Sequence, residues 1–140
     1  MVREVESGGA GQTSRQPGAE PMLAKPRILL HFEGAALFAL TLFLYHSINA
    51  PWGIFLLLFL WPDLGMLGYL ANVKLGASLY NLLHTDALPL AFAGASFALH
   101  QSAALAFALI WIAHIGFDRA LGYGLKYPTF FKDTHLRRVD

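Results

Sequence analysis

Cysteine is absent from the 140-residue chain. Disulfides and thiol chemistry are therefore excluded. Charge is the second scarcity. Only 14% of residues are charged, against about 25% in an ordinary soluble domain. Between residues 28 and 118 the charged side chains are Glu33, Asp63, Lys74, Asp86 and Asp118 alone. A soluble domain of this size has too little interior to bury the apolar surface that remains, so the natural solvent for this stretch is a bilayer. The formal net charge of +1 gives no basic footprint for nucleic acid. Residues 1–25 hold no apolar core of the kind a signal peptide needs, and Glu4, Glu6 and Glu20 interrupt them.

What is present is a set of long apolar runs. Residues 1–26, rich in Gly, Ser, Gln, Pro and charge, read as a disordered cytoplasmic tail. Residues 27–125 carry four runs, beginning near Ile28, Trp52, Leu75 and Ala103. They are separated by SINAP, a break at Lys74, and HQS. Each run is roughly 19–25 residues, the length a helix needs to cross about 30 Å of hydrocarbon. They are Leu- and Ala-rich without period-two alternation, which argues against strands. The expected fold is all-α: a four-helix transmembrane bundle, kinked at Pro62 and Pro89, with residues 126–140 as a C-terminal tail. Lys25, Arg27, Lys74, Arg119, Lys126, Lys132, Arg137 and Arg138 all fall on one side of such a bundle. The positive-inside rule makes that side cytoplasmic, with both termini there. The expected location is the bacterial inner (plasma) membrane, and the expected partner is membrane lipid.

Ionisable groups at bilayer depth cost about 2.5–3.5 kcal/mol each on insertion scales, so each needs a reason. Counting from the cytoplasmic ends at 1.5 Å per residue places Asp63, His84 and His114 at roughly 15 Å. Glu33, Asn81 and Asp118 come out at roughly 10 Å. His114 and Asp118 are four apart and share a helix face, as do Tyr80 and His84. Carboxylates and imidazoles on facing helices are how bundle-core metal sites are built. Asp63, His84, His114 and Asp118 are thus candidate ligands for a divalent metal such as zinc, manganese or iron. Glu33 is a candidate fifth ligand or general base, and Tyr80, Asn81 and Arg119 are supporting polar groups.

The plainer readings stand beside these. Asn81, Tyr80 and Asn72 suit interhelical hydrogen bonding. Asp118 could pair with Arg119 or Lys126. Asp86 is turned about 200° from His84 and suits a cap or a polar path. Gly65, Gly68, Gly76 and Gly94, with Ala91, Ala95 and Ala98, offer small faces for helix contact. Gly122 and Gly124 suit a turn after the last helix. Asp133 and His135 could cap the polar layer from below, though solvation is the favoured reading.

The segments PDLGMLGYL (62–70), YNLLHT (80–85) and HIGFDRALGYGLKYPTFFKDTHL (114–136) resemble an uncharacterised bacterial membrane family, domain-of-unknown-function family four-two-six-zero. The resemblance covers roughly residues 27–136. It implies a compact multi-helix membrane protein and transfers no catalytic residue. Three functions stay open on the sequence. One is a membrane protein with a metal site opening to the cytoplasm, suited to hydrolysis. Another is a proton- or ion-handling carrier or subunit, which with so few helices demands a homo-oligomer. The third is a non-enzymatic protein whose polar layer only specifies packing.

Overall fold

A computed structural model describes residues 25–139. The expected tail over residues 1–26 lies outside the described residues, apart from Lys25 and Pro26. The first run forms α1 (Pro26–Ser47), opened by a proline at its first position, where a missing N–H costs nothing. Asn49 ends it with φ 52°, a left-handed conformation that Asn tolerates after a helix. The second run is not one α-helix. It begins as α2 (Trp52–Leu58) and continues as a 3₁₀ segment, Trp61–Leu70. Pro62 stands at the start of that segment, where it cannot donate to the preceding turn.

The third run breaks in two, and here the expected single kinked helix is corrected. α3 (Val73–His84) and α4 (Ala87–Ala98) are separated by Thr85, whose backbone is extended, and Asp86. At 12 residues and 1.5 Å per residue, each is about 18 Å long, too short to cross alone. Pro89 lies in the first turn of α4 and bends nothing. Asp86 stands at the break but makes no side-chain cap bond, and its Oδ1 is buried without a partner. Asn72 is the cap that is made: its Oδ1 accepts from Leu75 N at 2.8 Å at the start of α3. The fourth run is α5 (Ser102–Leu121), and α6 (His135–Arg138) is a short turn in the tail. Among the described residues, three helical stretches are long and apolar enough to cross a membrane: Pro26–Ser47, Trp52–Leu70 and Ser102–Leu121.

α5 is the central element. α1 packs along one side of it and α4 along another, while α3 packs mainly on the 3₁₀ segment. Away from the basic end, Tyr45, Phe55, Leu109, Ile110 and Ala113 form an apolar core. The Tyr45 hydroxyl is satisfied there by Pro51 O at 2.9 Å. Leucines and phenylalanines such as Phe43, Leu56, Leu57, Leu70 and Phe97 point outward. Such a surface suits hydrocarbon better than water.

The chain after α5 is a folded cap. Gly122, at φ 88°, closes α5 with a Schellman pair: Tyr123 N donates to Asp118 O at 2.8 Å and Gly122 N to Arg119 O at 3.0 Å. Leu125 and His135 then hold each other, through His135 N to Leu125 O at 2.9 Å and Leu125 N to His135 Nδ1 at 2.8 Å. Asp133 is buried, and its carboxylate accepts from Arg138 and Thr129. The expected solvation of Asp133 is corrected: burying Leu136 brings the segment back onto the bundle.

The cap should loosen in acid. Burial, then the nearby Arg119 charge, holds the His135 imidazole below its ordinary value, and the Arg138 and Thr129 hydrogen bonds hold the Asp133 carboxyl below its own. In both cases the unfolded chain binds more protons, so stability rises with pH. The His135 contribution is present above about 6.5 and is lost below it; that of Asp133 follows below about 4. Amide hydrogen exchange over residues 126–139 should therefore show weaker protection at about pH 5.5 than at about pH 7.5. His135→Gln should abolish that difference. Equal protection at both pH values in the parent protein would contradict the assignment.

Candidate metal centre

Three elements meet at the basic end of the bundle. Asp63 enters from the first turn of the 3₁₀ segment, held by Asp63 N to Leu60 O at 3.1 Å. His84 is the last residue of α3, and His114 and Asp118 sit one turn apart on α5. Their ligand atoms all lie within 4.8 Å of one another. His84 Nε2 is 3.2 Å from His114 Nε2. Asp63 Oδ1 is 3.4 Å from His84 and 3.5 Å from His114, and Asp118 Oδ2 is 3.5 and 3.7 Å from the same two nitrogens. The two layers inferred from helix length are thus one: Asp118 joins the deeper set. Glu33 is exposed on α1 and stands outside the group.

These distances distinguish two kinds of site. Charge-assisted imidazole–carboxylate hydrogen bonds run about 2.7–2.9 Å, and none of the four N···O separations is that short. Metal–ligand bonds of about 2.0–2.2 Å directed to the corners of a tetrahedron leave edges of about 3.3–3.6 Å. Five of the six edges, at 3.2–3.7 Å, fall close to that figure, and the Asp63–Asp118 edge lies within 4.8 Å. Two imidazoles and two carboxylates so placed could hold a metal ion.

The surroundings orient the ligands. His84 Nδ1 is 2.9 Å from Tyr80 O. A carbonyl can only accept, so Nδ1 carries the proton and the Nε2 lone pair faces the group, the usual arrangement behind a metal-bound imidazole. The Tyr80 ring stacks on His84 with centroids 3.7 Å apart, and its hydroxyl donates to Asp118 Oδ2 at 3.2 Å. His114 is oriented by packing instead. Its Nδ1 is buried without a hydrogen-bond partner, and it meets Phe59 edge to face.

The break after α3 is what places His84 at a helix end, and α5 makes the break tolerable. Exposed carbonyls at a C-terminus need donors when water is excluded. Trp111 Nε1 donates to Leu83 O at 2.6 Å and Arg119 Nη2 to His84 O at 3.0 Å. Arg119 therefore caps α3, with a cation at the negative end of the helix dipole. No Asp118–Arg119 ion pair forms.

Asn81 binds the tail on both sides of one residue: Nδ2 donates to Lys126 O at 2.8 Å and Lys126 N donates to Oδ1 at 2.7 Å. This clamp brings Lys126 over the site, a role that nothing in the local sequence around Lys126 signals. Lys126, Tyr80, Tyr123, Met66 and Phe131 join Asp63 and Asp118 around a cavity of about 310 Å³. Burial pushes the Lys126 ammonium down from its ordinary value, against the pull of Asp63 and Asp118.

Fold and site together define an all-helical protein with membrane-length apolar helices and a buried Asp/His group that could hold a metal. The chain belongs to the family described as domain of unknown function (DUF4260), whose model matches residues 27–139. No curated protein and no solved structure matches it.

Proposed function

We propose that this is an integral membrane metalloprotein whose Asp63, His84, His114 and Asp118 hold one divalent cation, zinc being the best fit. The observation that carries the reading is the convergence of four ligand atoms within 4.8 Å of one another, with imidazole–carboxylate separations of 3.4–3.7 Å, longer than charge-assisted hydrogen bonds. We place the site in the cytoplasmic half of a bacterial inner membrane. Lys25, Arg27, Lys74, Lys126, Arg137 and Arg138 support this side, as does the contact of the start of α1 with the end of α5 through His31 Nδ1 and Ala120 O at 2.8 Å. In this reading α3 and α4 cross together as one broken span, giving four spans and cytoplasmic termini.

Hydrolysis is the activity that the site suits. Four protein ligands fill a tetrahedral shell, as in structural zinc sites, whereas catalytic zinc keeps three and leaves a place for water; hydrolysis here therefore requires the cation to expand to a fifth position on the cavity side. Asp63 is 31% exposed and lines the cavity, so the group is reachable from one side. A bound cation would supply Lewis acidity and an acidic water. The chain supplies the ligands, the Tyr80 hydrogen bond that fixes Asp118, and a wall that excludes bulk solvent. Glu33, exposed on α1, has no part in this scheme.

Elemental analysis of the detergent-purified chain is the direct test. About one zinc, manganese or iron per chain is expected, and His84→Ala and His114→Ala should each reduce it at least tenfold. Parent protein free of metal after growth and purification without chelator, and unable to take up added zinc, would end the proposal.

A further inference from the structure

Lys126 is the group that the metal site does not use. The residue as a whole is only 8% exposed, and its ammonium, which reaches the cavity, has no hydrogen bond and no ion pair within 4.0 Å among the described residues. It lies instead over aromatic rings, 3.5 Å from the centroid of Phe131, 4.4 Å from that of Tyr80 and 5.4 Å from that of Tyr69. Ring faces attract a cation but accept none of its three N–H bonds in the way an oxygen does. An ammonium held against ring faces at the edge of a cavity is left without the anion that would best complete it. The nearest carboxylates, Asp63 and Asp118, are turned toward the imidazoles.

The same ammonium lines the cavity that reaches Asp63 and Asp118. Tyr80 ties the two sides of that cavity together, since its ring lies under Lys126 and its hydroxyl binds Asp118. Without a cation the two carboxylates would repel any anion that entered. With one, the divalent charge offsets both carboxylates at the floor, and the lysine in the wall leaves the cavity net positive. We infer that this cavity binds a phosphate monoester, with its oxygens shared between the bound cation and Lys126. This deepens the metal reading and rests on it.

Phosphate is favoured over carboxylate by number and geometry of acceptors. A tetrahedral oxyanion can face two separated cations at once. The cavity of about 310 Å³ falls at the small end of ligand sites. It would take a headgroup and leave any acyl chains outside, where Leu64, Leu67 and Phe130 are exposed. The phosphate could come from a lipid headgroup or from a free phosphate, and the two sources are separable by experiment.

The test uses the full chain loaded with zinc, with metal content measured on every sample. Inorganic phosphate is titrated in detergent, and phosphatidic acid is titrated in neutral phosphatidylcholine nanodiscs, with binding followed by calorimetry or phosphorus NMR. Saturable binding of at least one probe is expected. Lys126→Met keeps the apolar stem on the rings and should weaken binding at least about tenfold at unchanged zinc content; Lys126→Arg should restore most of it. Binding of phosphatidic acid alone identifies the lipid source, and comparable binding of both probes identifies the phosphate group itself as the determinant. Zinc-loaded protein that binds neither probe, or Lys126→Met protein that binds as tightly as the parent, overturns this inference while leaving the metal site standing. A chain that takes up no zinc overturns both.

Discussion

Chelation is expected to lower the melting temperature of the zinc-loaded protein by roughly 10–15 °C. A ligand that binds only the folded state stabilises it by about 4 kcal/mol at a thousandfold excess over its dissociation constant, and a domain of this size shifts by a few degrees per kcal/mol. The local geometry gives the effect its size. When the cation leaves, Asp63 and Asp118 stand with oxygens within 4.8 Å of each other, and His84 and His114 present nitrogens 3.2 Å apart. One proton between the imidazoles relieves part of that crowding, but the carboxylates keep imidazole separations too long for strong hydrogen bonds. Differential scanning fluorimetry with and without chelator reads the shift. His84→Ala combined with His114→Ala should melt lower than the parent and ignore the chelator. A parent protein whose melting temperature is the same in both conditions would mean that the four residues form a packing network and no more.

Much of this site is legible in the amino-acid sequence, for a physical reason. An ionisable side chain in hydrocarbon is costly, so its mere presence is informative. Asp63, His84, His114 and Asp118 stand out on that ground, and the 3.6-residue period sets His114 and Asp118 on one face of α5. Depth is harder to read. Counting residues from a helix end assumes straight, continuous helices, and Asp63 lies on a 3₁₀ segment that rises faster per residue than an α-helix. The same assumption draws Glu33 toward the group, though it is exposed on α1. The break at Thr85 is hidden because a run of apolar residues looks the same whether one helix or two cross the membrane. What repairs the break, Trp111 and Arg119 donating to α3 carbonyls, depends on tertiary contacts that no local pattern encodes. Lys126 is visible in the sequence only as a charge that sets topology; its place over the cavity comes from Asn81, 45 residues earlier.

Glycines make the same point about packing, and they carry the other large effect. Gly116→Leu is expected to prevent stable folding, at a cost of about 3 kcal/mol or more, because overpacking a tight contact already costs about 1–3 kcal/mol per small insertion. A β-carbon at Gly116 would lie 2.8 Å from Phe38 N and 3.1 Å from Gly34 O, both backbone atoms of α1 that cannot step aside as a side chain can. In a bilayer, close van der Waals contact is much of what holds two helices together, so moving α1 off α5 removes the most extensive helix contact among the described residues. The small residues noted in α4 behave otherwise. Gly94 has nothing within 4 Å of where its β-carbon would be, and Ala91, Ala95 and Ala98 are exposed, so that stripe faces away from the bundle. Gly94→Leu should therefore cost no stability and, by replacing a glycine inside α4, raise it by up to about 1 kcal/mol. Unfolding of both variants in mixed micelles, followed by tryptophan fluorescence, compares them directly. Equal stability of Gly116→Leu and Gly94→Leu would contradict the close crossing of α1 and α5, and with it the packing that sets Asp118 and His114 at their present depth.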